Sequence, residues 1–118
     1  MSDCSLRKHV LAQAETKGLN VMFQEAVAII RSDLFPQASF ANETSAVRVP
    51  RTARGSPVFL PKEERIIELS EPDFLTVTSG GTPGTRRGAY VPGYGKVFLN
   101  RDLWCLKTLY HETMHSLM

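Results

Sequence analysis

The segment His111-Glu112-Thr113-Met114-His115 brings two imidazoles and a carboxylate into five residues, the spacing by which a helix holds zinc beside a base. On an α-helix the two histidines differ by about 40° in azimuth and about 6 Å in height, so both reach one metal ion. Glu112 lies about 100° from the first histidine and about 60° from the second, which lets it lean over the open side of the metal. The chemistry implied is metal-assisted hydrolysis. His111 and His115 coordinate Zn²⁺ as neutral imidazoles, and the metal lowers the pKa of a bound water towards about 7. Glu112 is the general base: it takes the water's proton as the oxygen attacks a carbonyl and returns it to the departing amine.

A helix must present these residues. A wheel drawn from Asn100 onward places Leu103, Leu106, Tyr110, Met114 and Leu117 within an arc of roughly 80°, the stripe expected of a helix packed on a core. The histidines and Glu112 fall outside it, on a side shared with Trp104, Cys105 and Thr108. Asn100 is the expected cap of this helix, a structural role.

The run Gly88-Ala89-Tyr90-Val91-Pro92-Gly93-Tyr94-Gly95-Lys96-Val97-Phe98-Leu99-Asn100, then Arg101-Asp102-Leu103-Trp104 and the motif helix, resembles the zincin metallopeptidases over about the last 30 residues. In that clan an edge strand lines the substrate cleft, and a tight turn leads to an inner strand that feeds the active-site helix. The resemblance implies that Ala89, Tyr90 and Val91 form the edge strand that pairs with an extended peptide, and that Lys96 to Asn100 form the inner strand. It implies a zinc-dependent peptidase acting on a peptide or protein substrate, with Glu112 catalytic, His111 and His115 on the metal, and Ala89 to Val91 binding substrate. No subfamily is specified.

Zincins take a third metal ligand, a Glu, His or Asp, from downstream of the second histidine, and catalytic zinc wants three protein ligands and one open position. Two histidines alone bind weakly. Residues 1–118 are therefore expected to form one zincin-like amino-terminal subdomain of a longer enzyme, cut before its third ligand and weak or inactive by itself. The extended metzincin spacing needs Gly where Met118 stands. Peptide deformylases, which pair such a helix with an earlier cysteine ligand, offer an alternative in which Cys4 would donate, although their glycine-rich and cysteine-containing segments are missing. Cys105, six residues before His111 and about 9 Å up the same expected helix, is too far to share the metal. His9, on the first helix, reads as an ordinary imidazole.

The elements before the motif suggest an α+β fold: two amino-terminal helices, a small mixed twisted sheet and the active-site helix last. Leu6, Val10, Leu11 and Ala14 repeat at helical spacing, and Gly18 is placed to end that helix. Asn20 would cap a second helix to about Leu34, with Phe23, Ala26, Val27, Ile30 and Leu34 as its apolar face and Pro36 as its stop. Ala46 to Val49, Pro57 to Leu60 and Phe74 to Thr78 read as short strands. Glu64 to Leu69 suits a helix or a buried strand equally. Ser79 to Thr85 is a loop by composition, and it lacks the lysine and hydroxyl of a nucleotide-binding loop.

A content of 42% hydrophobic residues gives this one-domain chain a modest core without staples. A net charge of +2 and a pI near 8.7 are too mild to imply nucleic acid. The alternative of a non-catalytic binding domain would use Arg48, Arg51, Arg54, Arg86 and Arg87 as a nucleic-acid groove with Tyr90, Tyr94 and Phe98 as stacking surfaces; solvated loops and sheet aromatics are the favoured reading. No apolar run is long enough to span a membrane, and the start Met1 to Lys8 is not a secretory signal. Cys4 and Cys105, at opposite ends of the chain, do not make a disulfide framework. A cytoplasmic location is the default, and Asn42-Glu43-Thr44 would accept a glycan only in a secreted eukaryotic chain. The oligomeric state is not legible.

Overall fold

A computed structural model describes residues 3–49, 58–78 and 84–117. A short 3-10 turn, Asp3–Leu6, leads into helices α1 (Arg7–Lys17) and α2 (Leu19–Asp33). Strands β1 (Val47–Val49), β2 (Val58–Leu60) and β3 (Ile66–Leu69) follow, then helix α3 (Glu71–Val77), strands β4 (Gly88–Val91) and β5 (Lys96–Asn100), and helix α4 (Leu106–Ser116). The architecture is mixed α+β with two small sheets. In one, β1 and β2 pair antiparallel, Val47 opposite Leu60. In the other the order is β3-β5-β4, with β5 parallel to β3 and antiparallel to β4.

Strand β5 is buried along its whole length because it is covered on both faces. Val97 and Leu99 point into a cluster with Val10, Phe23, Val27, Ile30, Trp104 and Leu109 from the helical layer. Phe98 points the other way, into a cluster with Val47, Ile67, Leu69, Phe74 and Ala89. This alternation is the period-2 arrangement of a strand, here with both sides dry. At the strand's start Lys96 is also buried; its ammonium donates to the carbonyls of Pro61 (2.9 Å), Lys62 (3.1 Å) and Glu64 (2.5 Å). Those bonds make the burial tolerable. Desolvation still pulls the Lys96 pKa below its ordinary value, against the opposing field of Glu64.

Several local expectations need correction. The segment Phe74 to Thr78 is not a strand: it lies in and just after α3. Ser70 caps that helix in an extended conformation, Pro72 sits in its first turn, and Glu71 and Asp73 complement its positive end. These start signals outweigh the apolar Phe74, Leu75 and Val77. Within the segment Glu64 to Leu69, residues Ile66–Leu69 form strand β3, with Ile66 and Ile67 facing opposite cores. Gly18 does separate the first two helices at φ +94°, a conformation open to glycine. Consequently α2 begins at Leu19 with Gly18 as its cap, not Asn20. Of the apolar face expected on α2, Phe23, Ala26, Val27 and Ile30 are buried while Leu34 is exposed.

The motif helix starts later than expected and is turned differently. After β5, Leu103 and Trp104 both donate to the Asn100 carbonyl, and the Asn100 side-chain oxygen accepts from Asp102 N–H. Asn100 therefore closes a turn and does not cap α4. Cys105 takes that position, its N–H donating to Thr108 Oγ1 at 3.3 Å in a reciprocal cap. The inward face is Thr108, Leu109, Glu112, Thr113 and Ser116, an arc centred roughly 130° from the expected stripe. Met114, on that stripe, is 40% exposed, and only Leu117 of the five is buried. Small hydroxyl residues can face inward because they bond within their own helix: Thr113 Oγ1 donates to Leu109 O and Ser116 Oγ to Thr113 O, each at 2.6 Å.

Candidate active site

Helix α4 carries the two imidazoles on its exposed side and turns them towards each other. His111 Nε2 and His115 Nε2 lie 3.2 Å apart, with ring centroids at 4.8 Å and planes crossed at 76°. Two ligand nitrogens on a tetrahedral zinc are separated by about 3.3 Å when each bond is about 2.05 Å. The pair thus matches one edge of such a site. The same separation accommodates an N–H···N hydrogen bond in which one ring donates to the other. Glu112 lies behind the pair: its side chain is 12% exposed against 64% for His111, and its Oε2 stands 3.9 Å from His111 Nε2.

Both ends of α4 are fastened. At the first end Cys105 forms a disulfide with Cys4, which corrects the reading of the two cysteines as unlinked. Arg7 adds bonds from Nε to Trp104 O (2.8 Å) and from Nη2 to Arg101 O (2.9 Å). At the far end Leu117 forms a β-bridge with Phe40, and Ala41 N–H donates to Ser116 O at 2.9 Å.

Strand β4 lies at the edge of its sheet and, among the described residues, pairs only with β5. It approaches α4 closely because residue 88 is glycine. A Cβ there would stand 2.6 Å from Thr108 Cγ2 and 3.2 Å from Glu112 Cγ, closer than real side chains pack. Of the expected substrate-binding residues, Ala89 is buried, while Tyr90 and Val91 are half-buried. Ala89 packs into the second core, and the Tyr90 hydroxyl accepts from Asn42 Nδ2 at 2.9 Å.

Two pockets flank the imidazoles. One, about 340 Å³, is apolar and lined by Phe35, Ala38, Met114 and Leu117 with His111 and His115. The other, about 260 Å³, opens between the start of β4 and α4 and is lined by Thr85, Arg87, Gly88, Lys107, Thr108, His111 and Glu112. The sequence reading missed Phe35, Ala38, Arg87 and Lys107 as neighbours of the site. Arg87, near the expected edge strand, and Lys107, four residues before His111 on the motif helix, carried signals that could have found them.

Among the described residues no group of three or more His, Cys, Asp or Glu side chains is placed to hold a metal. His9 is exposed on α1, and Cys4, tied to Cys105, has no thiolate to offer. The proposed nucleic-acid surface does not assemble as drawn. Phe98 is fully buried, Tyr94 packs edge-on to it with centroids 6.2 Å apart, and Arg86 donates to Thr78 O; Arg51 and Arg54 lie outside the described residues, as does most of the Ser79 to Thr85 loop. No known protein family, curated protein or solved structure matches the chain.

Proposed function

We propose that this chain is a zinc-dependent peptidase in which His111 and His115 bind the metal and Glu112 is the general base. The observation that carries this reading is the 3.2 Å separation of the two imidazole nitrogens, with the Glu112 carboxylate beside them. When bound, zinc supplies Lewis acidity to the carbonyl and makes a water acidic enough to attack near neutral pH. The Glu112 carboxylate accepts the water's proton as its oxygen bonds to the peptide carbonyl carbon. As the C–N bond breaks, that proton passes to the departing nitrogen, so the products are an acid and an amine. Main-chain groups of β4 align the substrate as an added strand. A complete catalytic site requires a further donor in addition to the two histidines.

The deformylase-type alternative is weakened by the bridge that engages Cys4, and the binding-domain alternative by the burial of Phe98. No described helix is long and apolar enough to cross a membrane. A cytoplasmic placement remains part of the proposal, and the Cys4–Cys105 bridge bears against it, since disulfides persist chiefly in oxidising compartments.

Titration of chelator-free protein with zinc is expected to saturate at about one ion per chain with weak affinity, and His111→Ala or His115→Ala is expected to weaken it further. Glu112→Gln should bind the metal as the wild type does yet lose about a hundredfold or more of whatever peptide hydrolysis the chain shows once a third donor is supplied. Wild-type protein that takes up no zinc, or a Glu112→Gln variant that hydrolyses peptides normally, would refute the assignment.

A further inference from the structure

The two pockets beside the imidazoles differ in chemistry, and the difference specifies a ligand. On the Met114 side the walls are hydrocarbon: Phe35 and Ala38 from the segment after α2 face Met114 and Leu117 of the motif helix and its end. Phe35 is 52% exposed and Met114 40% exposed, so large apolar surfaces stand open to water directly beside the polar pair. Burying such surface against a ligand side chain is favourable by about 25 cal/mol per Å². On the other side the lining holds two cations, Arg87 and Lys107, against one acid, Glu112. Both cations are exposed. Arg87 uses Nη1 on Cys4 Sγ at 3.0 Å, which orients the guanidinium and leaves its other donors for a ligand.

We propose that this site selects a peptide that places an apolar side chain against Phe35 and Met114 and a carboxylate against Arg87 and Lys107. The proposal rests on the peptidase reading and adds the substrate class to it. The carboxylate is that of an aspartate or glutamate side chain, or of the peptide's own terminus; the chemistry of recognition is the same for both. The disulfide then does more than hold a helix end: through Cys4 it positions Arg87 at the rim of the cleft.

The test reads affinity, so it is separate from turnover. Fluorescein-labelled peptides are titrated with the zinc-supplemented chain and followed by anisotropy. One series carries leucine with an acidic side chain and an amidated terminus. A second carries leucine with a free terminal carboxylate and no acidic side chain. A third has both carboxyl groups as amides, and a fourth has serine for leucine. We expect one carboxylate-bearing series to bind about tenfold tighter than the amide series, which identifies the carboxylate's source, and serine to weaken binding. In Arg87→Gln/Lys107→Gln the ratio within that variant should fall to within about twofold, and Lys107→Glu should reverse it in favour of a lysine-bearing peptide. Comparing ratios within each variant removes any general loss of folded protein. Equal affinity for carboxylate and amide peptides, or a ratio unchanged in the double variant, would overturn the proposal. Selective binding by a chain that takes up no zinc would uphold it and refute the peptidase reading instead.

Discussion

The two ends of α4 are held by different chemistry. At Cys105 the helix start is tied covalently to Cys4 and by side-chain hydrogen bonds from Arg7; at Ser116 and Leu117 the helix end is tied by main chain to Phe40 and Ala41 and by the packing of Leu117. The first fastening depends on particular side chains and on redox state. The second depends on backbone pairing together with burial of one apolar side chain, Leu117, in the core. The spacing of the two imidazoles is set by the helix itself; the fastenings set where that pair stands relative to β4 and the segment after α2.

That contrast can be broken most forcefully at the first end. The bridge closes a loop with a sequence separation of 101 residues, for which chain-entropy arguments give about 4.7 kcal/mol, with measured values reaching about 2 to 5. Cys4→Ser is expected to lower urea-unfolding stability by an amount in that range. A thiol assay on native protein should find no free sulfhydryl; two reactive thiols would show that the first end is not covalently held. The next effect in size is expected at the helix's contact with β4. Gly88→Ala sets a methyl against Thr108 and should cost about 1 to 3 kcal/mol, partly restored by Thr108→Ser. The smallest effect is expected at the far end, where Ala41→Pro removes the donor to Ser116 O at a cost of about 1 kcal/mol. Hydrogen exchange should then speed up at Leu117 but not near Leu109. Uniform acceleration along α4 would mean that the two ends are not independent.

The parts legible in advance were those whose pattern is local. The resemblance carried by about the last 30 residues implied an edge strand at Ala89 to Val91, a tight turn and an inner strand at Lys96 to Asn100, and β4 and β5 stand at those positions. The apolar repeat of α2 likewise marked its buried side. What stayed hidden depends on partners far away in sequence. Hydropathy turns Thr108, Thr113 and Ser116 outward, whereas the close approach allowed by Gly88 needs small residues at that contact and the hydroxyls are satisfied within the helix. The expected stripe is therefore only partly inward: Leu117 is in the core and Leu106 and Tyr110 pack against it, while Met114 faces water. The convergence of His111 and His115 survives that error because i and i+4 neighbours share a side on any helix. Cys4 and Cys105 meet because the Asp3–Leu6 turn packs against α4, and nothing near either residue records it. Phe74 to Thr78 was misread for the opposite reason: its helix-start residues lie upstream, at Ser70 to Asp73.

Lys96 carries a last consequence. With its ammonium enclosed by three carbonyls of the 61–64 turn, it is shielded from acylating reagents while β5 keeps its place. Lys107, on the surface beside the cleft, offers an amine open to the same reagents. An amine-labelling time course on the native chain therefore contains its own clock, in which modification of the enclosed lysine dates the opening of the central strand.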